Sequence, residues 1–231
     1  MQSGGADLIH GTSLVEKATA IWREALRLLV VAWGSVAAFL GLMISTGVLV
    51  DTQGWGEPAD IALMVVDFLA TFALTMVLLR TGVPGGRRGS RGFWTYFGLS
   101  FLSGIAILLG LVLLIIPGLV VWARLAPSAG YALADDMEVS DAMSKSWDAT
   151  GDHILPIMLA HLPAFAAGIG GGAVFFALFD DAGPQPWSVS LAVNVLTYGS
   201  TALGIVLGLA VFTLLARSES SQAGADAFPA Q

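Results

Sequence analysis

Residues 93–116 read FWTYFGLSFLSGIAILLGLVLLII, with no charged side chain among them. A crossing helix needs about 20 consecutive, mostly apolar residues to match the hydrocarbon core of a bilayer. This stretch meets that length, and it sets the reading of the rest of the chain. Upstream of it lies Arg80–Arg91 (RTGVPGGRRGSR), a basic loop dense in helix breakers. Before that loop comes an apolar run over 59–79, then a polar turn, Asp51–Pro58 (DTQGWGEP), with Trp55 at interfacial depth, then an apolar run over 28–50. Downstream, Pro117-Gly118 signals a sharp turn, and a shorter apolar run over 119–134 ends at Asp135-Asp136. Two further runs, 154–179 and 187–216, flank a polar turn, Asp180–Pro186 (DDAGPQP), with Trp187 at its end. The expectation is an all-α polytopic membrane protein with six transmembrane helices.

Composition agrees. The chain is 56% hydrophobic and only 12% charged, against about a quarter charged in soluble domains. It has no cysteine, which excludes disulfides, thiol catalysis and cysteine metal sites. His10, His153 and His161 are scattered and fit no metal-ligand spacing. No metal, cofactor or nucleic-acid partner is expected.

Two shorter stretches have amphipathic character. Ser13-Leu14-Val15-Glu16 has the form of a capping box. Ile21, Trp22, Ala25, Leu26 and Leu29 follow at helical spacing, with Lys17, Arg23 and Arg27 on the polar side. Residues 13–27 therefore read as an interfacial helix leading into the first span. Residues 139–150 read as a second one. Ser140 is its expected cap, Asp141 and Lys145 form an i,i+4 pair, Ala142, Met143 and Trp147 fall on one face, and Gly151 ends it. Residues 1–12 and 217–231 are polar and read as disordered tails. The first dozen residues lack the pattern of a cleavable signal.

The cations then sort to one side. Lys17, Arg23, Arg27, Arg80, Arg87, Arg88, Arg91, Lys145 and Arg217 are nine of the ten lysines and arginines. All nine fall on the side of the N-terminus if the chain crosses six times. The opposite turns hold Asp51, Glu57, Asp60, Asp180 and Asp181 and no cation. The positive-inside rule thus predicts a cytoplasmic (inner or plasma) membrane protein with both ends in the cytoplasm. Arg87, Arg88 and Arg91 could also attract anionic lipid head groups, although their topological role explains them without that.

The tenth cation, Arg124, lies within a span, and a charge at the bilayer centre costs about 2.5–3.5 kcal/mol on insertion scales. Residue counting puts Asp67, Arg124 and Asn194 roughly 10–14 Å below the outer surface, on three different helices. The expectation is an ion pair between Asp67 and Arg124, with Asn194 as a third partner. It would act either as a clamp on helix packing or as a site for an ion, proton or lipid head group. His161 lies at another depth, where hydrogen bonding to a neighbouring helix is the simplest role. Pro156 and Pro163 flank it and predict a kinked helix. Gly168, Gly170, Gly171 and Gly172, with Gly98, Gly104 and Gly110 in the third span and Gly199, Gly204 and Gly208 in the sixth, predict close helix contacts. The arginine-rich loop lacks the spacing of a phosphate loop. Ser100 and Ser103 do not fit a nucleophile elbow.

The stretch from Gly110 to His153 reads GLVLLIIPGLVVWARLAPSAGYALADDMEVSDAMSKSWDATGDH. Its order is an apolar span, the Pro117-Gly118 turn, a span with an early arginine, an acidic junction, and a helix closing on Ser146, Trp147, Thr150, Gly151 and His153. In this it resembles the membrane domain attached to some bacterial glycerophosphodiester phosphodiesterases, and the stand-alone YciC-like relatives of that domain, whose function is unknown. Relatives often carry a basic residue before the Gly-His pair, where this chain has Thr150-Gly151-Asp152-His153. The resemblance implies a six-helix membrane module with no catalytic residues, since the phosphodiesterase chemistry of those fusions belongs to a separate soluble domain.

The sequence thus points first to a non-enzymatic membrane-embedded scaffold or envelope-associated component whose constant partner is the lipid bilayer, with no protein partner identifiable. The alternative is a small transporter or channel built on the Asp67/Arg124/Asn194 level. An intramembrane enzyme would need reactive groups converging within hydrogen-bond reach.

Overall fold

A computed structural model of the chain describes residues 13–83, 92–113, 115–178 and 184–227, with side chains described except over 111–116 and 221–227. The expected N-terminal tail and the arginine cluster Arg87, Arg88 and Arg91 lie outside the described residues. The described chain is helical, and no strand occurs among the described residues.

Helix α1 (Leu14–Val31) opens with the capping box. Glu16 N donates to Ser13 Oγ (3.2 Å), and Ser13 N donates to Glu16 Oε2 (3.1 Å). Its buried stripe, Ala18, Ile21, Ala25 and Leu28, packs on the later helices α8 (Ile154–Leu178) and α9 (Trp187–Ala227). The helix breaks at Ala32, and α2 (Trp33–Gln53) comes next. The first span therefore starts at Trp33, not at Leu28. Hydropathy hid the break because Leu28–Val31 is as apolar as α2 itself. Leu28 belongs to α1 because it fills the space left by a missing side chain at Gly82, where a Cβ would lie 2.3 Å from Leu28 Cδ2. At about 31 Å, α2 matches the hydrocarbon thickness of about 30 Å.

Gly54 and Gly56, both at positive φ, turn the chain into α3 (Glu57–Gly82), which has Pro58 in its first turn. Helix α4 (Phe93–Leu113) then meets α5 (Ile115–Leu125) backbone to backbone. A Cβ on Gly110 would lie 2.8 Å from Gly118 Cα. Pro117 and Gly118 sit in the first turn of α5 and are not themselves the turn, because proline is tolerated where its missing N–H would be unpaired anyway. The expected single helix over 119–134 is two helices, α5 and α6 (Ser128–Ala134), broken at Ala126-Pro127. Helix α5 alone is about 16 Å long, too short to cross.

Helix α7 (Val139–Ala149) lies against α4, α5 and α6. Glu138, not Ser140, is its N-cap residue, and it makes no side-chain cap bond. Lys145 pairs with Asp135 (3.7 Å) and Glu219 (3.1 Å) rather than with the expected partner Asp141. A 3₁₀ turn, Gly151–His153, leads into α8, which stays helical through Pro163. Helix α9 continues to Ala227, so the expected disordered tail is helical from Arg217 to Ala227.

Among the described residues, five helical stretches have the length and apolar composition to cross a membrane: Trp33–Gln53, Glu57–Gly82, Phe93–Gly110, Gly151–Leu178 and Trp187–Ser220. Trp33, Trp55, Trp94 and Trp187 are exposed at or beside helix ends, as in the aromatic belts at membrane–water interfaces. Large apolar residues such as Ile61, Met64 and Phe176 cover the outside. Helix α9 forms the axis. Glu24 faces Arg217, Phe39 faces Tyr198 and Gly47 faces Asn194, so α1 and α2 run antiparallel along it. Among the glycines, Gly110, Gly168, Gly171 and Gly208 make close contacts, whereas a Cβ on Gly104, Gly172, Gly199 or Gly204 would meet open space.

Candidate functional site

The break between α5 and α6 organises the polar groups of the interior. A helix end leaves its last carbonyls without intrahelical donors, and Pro127 has no N–H to offer. The carbonyl of Arg124 accepts from Ser146 Oγ (2.6 Å) and Thr150 Oγ1 (3.3 Å) of α7, and that of Leu125 accepts from Ser128 Oγ (2.5 Å). The Ala126 carbonyl sits against Gly208, where a Cβ would lie 2.6 Å from it. The Arg124 side chain takes the same direction. Its Nη1 donates to the Trp147 carbonyl (2.8 Å), its Cζ lies 4.8 Å from the centre of the Trp147 ring, and a Cβ on Gly151 would lie 3.6 Å from Nη1. Ser146, Trp147, Thr150 and Gly151 thus converge on one arginine and its carbonyl. His153 is buried nearby in sequence, and its Nδ1 has no hydrogen-bond partner.

The expected ion pair does not form. Arg124 points to α7. Asn194 points to α2, where its Nδ2 donates to Asp51 Oδ2 (2.8 Å) beside Ser190 Oγ (2.6 Å from the same oxygen). Asp67 Oδ1 has no hydrogen-bond partner. Residue counting fixes depth along a helix, but each residue also turns the side chain by about a quarter of a revolution, and Arg124 and Asn194 face different helices. His161 also departs from expectation. Its Nδ1 bonds the Ile157 carbonyl of its own helix (2.8 Å), its ring packs edge-on against Trp122 of α5 (4.3 Å), and Nε2 is left unpartnered.

A chamber of about 400 Å³ lies among α3, α4, the α5–α6 break, α8 and α9. Its polar lining is made of hydroxyls: Thr75, Tyr96, Ser100 and Ser103 on one side, Ser128, Ser200 and Thr201 on the other. The Thr75, Ser128, Ser200 and Thr201 hydroxyls donate to the carbonyls of Thr71, Leu125, Ala164 and Thr197 (2.8, 2.5, 2.8 and 3.0 Å). Ser103 Oγ is buried and has no partner. Gly204 also lines the chamber and leaves part of it open. Reading motifs did not find this site. Its only signal was the set of hydroxyl residues inside apolar spans, of which Ser100 and Ser103 fit no catalytic pattern.

No family model, no curated protein and no solved structure matches the chain. The site must therefore be read from its own chemistry. Apart from Asp67 and Arg124, the charged groups that tie helices together sit towards the two ends of the bundle. At one end Glu24, only 6% exposed, receives Arg27 (3.0 Å) and Arg217 (3.0 Å), and Arg27 also bonds the Gly82 carbonyl. Lys145 lies over the Tyr131 ring (4.6 Å). At the other end Asp51 joins α2 to α9, and Gln185 N donates to the Asp51 carbonyl (3.0 Å). No group of three or more His, Asp or Glu able to hold a metal occurs among the described residues.

Replacing Ser146 with alanine and Thr150 with valine together is expected to cost about 2–3 kcal/mol, at roughly 1 kcal/mol per lost hydrogen bond plus the unsatisfied Arg124 carbonyl. Thermal unfolding in detergent checks this. A loss no larger than that of an exposed control such as Ser220→Ala would show that α7 docks without these bonds.

Proposed function

We propose that the chain is a non-enzymatic integral protein of the cytoplasmic membrane, a membrane-embedded scaffold that crosses the bilayer six times with both ends in the cytoplasm. In this reading α5 and α6 together supply the sixth crossing. The observation that carries it is Lys145, which binds both Asp135, just after α6, and Glu219, near the end of α9. Glu219 lies two residues beyond Arg217, which is bound to Glu24, so α6 ends on the same side as α1 and the last crossing. Helix α5 begins beside the far end of α4, at Gly110. The path from Ile115 to Ala134 thus runs from one end of the bundle to the other, at about 30 Å if its two helices lie end to end.

The scaffold reading is supported by where the strongest polar groups go. Glu24, Asp51 and Arg124 each tie two or more helices of the chain together. The transporter reading loses its first basis, because Asp67, Arg124 and Asn194 do not meet. Kinship with the YciC-like membrane proteins is part of the proposal. It is supported by the way the quoted motif residues gather around Arg124. Anionic lipid head groups are the proposed partners of Arg87, Arg88 and Arg91.

Single cysteines in this cysteine-free chain test the topology. Thiols at Arg88, Asp141 and Ser220 are expected to react with an impermeant maleimide only after the membrane is opened, and one at Gly56 to react on intact cells. Labelling of Arg88 and Asp141 from opposite sides would remove the sixth crossing. Proteoliposomes are also expected to hold a potassium or proton gradient as long as protein-free vesicles do. Faster dissipation would favour a channel over a scaffold.

A further inference from the structure

A second space adjoins the hydroxyl-lined chamber. It is an apolar groove of about 360 Å³ between α5 and α8, walled by Leu119, Leu162, Ala166 and Ile169. It shares Ile107, Trp122 and Phe165 with the chamber, and the Trp122 and Phe165 rings meet there at 4.4 Å. Leu162 and Ile169 are strongly exposed, so the groove opens sideways onto the apolar flank of the bundle, where acyl chains run. Both spaces fall in the usual size range of small-molecule pockets, which are mostly apolar with a few placed polar groups.

We propose that chamber and groove together hold one neutral lipid with a hydroxyl-bearing head group, the head in the chamber and the alkyl chain in the groove. The chemistry of the walls selects this class. Among the described residues none that lines either space is charged, so an ionic head group would be buried there without a counter-charge, which is costly at this depth. The donors of Thr75, Ser128, Ser200 and Thr201 are engaged with backbone carbonyls, which leaves each oxygen to accept. With four of the seven lining hydroxyls presenting acceptors and Tyr96, Ser100 and Ser103 able to donate as well as accept, the lining suits a ligand that both donates and accepts, as an alcohol does. Ser103 Oγ, buried and unpartnered, is the hydroxyl whose hydrogen-bonding capacity such a head group completes. The proposal goes beyond the scaffold role and does not depend on the topology above, because the groove opens laterally.

The test uses the full chain in phosphatidylcholine nanodiscs and a monoacylglycerol carrying a photoactivatable diazirine in its acyl chain. Cross-links are expected on residues 118–122 and 162–169. Excess unlabelled monoacylglycerol is expected to compete them away, whereas the matching fatty-acid methyl ester and the free fatty acid are not. Gly204→Leu places its side chain in open space inside the chamber. It is expected to lower the competable labelling by about tenfold or more, as filling a pocket should, with the melting temperature retained. Ser103→Val, which removes a buried, unpartnered hydroxyl of the chamber lining, is expected to lower it about fivefold and decides the matter if the Gly204 variant fails to fold. Labelling that is uncompeted, competed equally by the methyl ester, unchanged in both variants, or absent from these helices overturns the proposal and leaves ordinary annular lipid in the groove.

Discussion

Replacing Arg27 and Arg217 together with methionine is expected to destabilise the protein by about 3–5 kcal/mol, the usual cost of stranding one member of a buried ion pair. Glu24 is the stranded member. Its side chain is 7% exposed, whereas those of Arg27 and Arg217 are 37% and 42% exposed. The asymmetry sets the sign of the comparison. Removing the carboxylate by Glu24→Gln frees two arginines that can reach water, so that single change is expected to cost less, about 1–2 kcal/mol, in the range of exposed pairs and one lost charged hydrogen bond. Adding Glu24→Gln to the double arginine variant should therefore recover much of the loss. Unfolding in mixed micelles of dodecyl maltoside and dodecyl sulfate measures all three. If the triple variant is no more stable than the double one, Glu24 is not held by those guanidiniums.

The second large effect concerns two glycines on α9, one turn apart. A Cβ on Gly208 would lie 2.6 Å from the Ala126 carbonyl oxygen and 3.4 Å from its carbon, both backbone atoms at the end of α5. Backbone cannot rotate aside as a side chain can. Gly208→Ala is expected to cost about 1–3 kcal/mol, in the range of core overpacking, and to push α9 off the α5–α6 break. Gly204→Ala meets nothing within 4 Å and should be neutral or stabilising by about 0.5–1 kcal/mol, because alanine restricts the unfolded backbone and favours helix. Equal melting temperatures for the two variants would mean that α9 does not approach the break as described.

Much of the outline of this fold could be read from residues 93–116 and their neighbours. Helix α7 starts at Val139, where periodicity puts it, and the chain turns at Gly54–Gly56 inside the polar stretch Asp51–Pro58, although the two ends of that stretch belong to α2 and α3, because capping and turn chemistry act over a few residues. The break at Ala126-Pro127 was also written in the sequence, yet the apolar residues on either side of Pro127 made 119–134 look like one helix. The Ser146-Trp147-Thr150 motif was legible as a pattern but not as a dock for Arg124. Its partners are the carbonyl and guanidinium of a residue on another helix, exposed only because that helix ends there.

By itself, then, the amino-acid order determined that this is an oily helical chain, where its main apolar runs lie, and which residues are costly to bury. Those properties arise from local chemistry and from transfer free energy summed along a segment. Only the tertiary structure decided which costly residues meet. Asp67, Arg124 and Asn194 have similar depths by residue count, but the direction each faces is set by how helices rotate and pack, through seats as small as Gly47 beneath Asn194 or Gly208 beneath Ala126. The same packing left hydroxyls from α3, α4, α6 and α9 facing one unfilled space. No spacing along the chain encodes that space, since it is defined by what the neighbouring helices fail to fill.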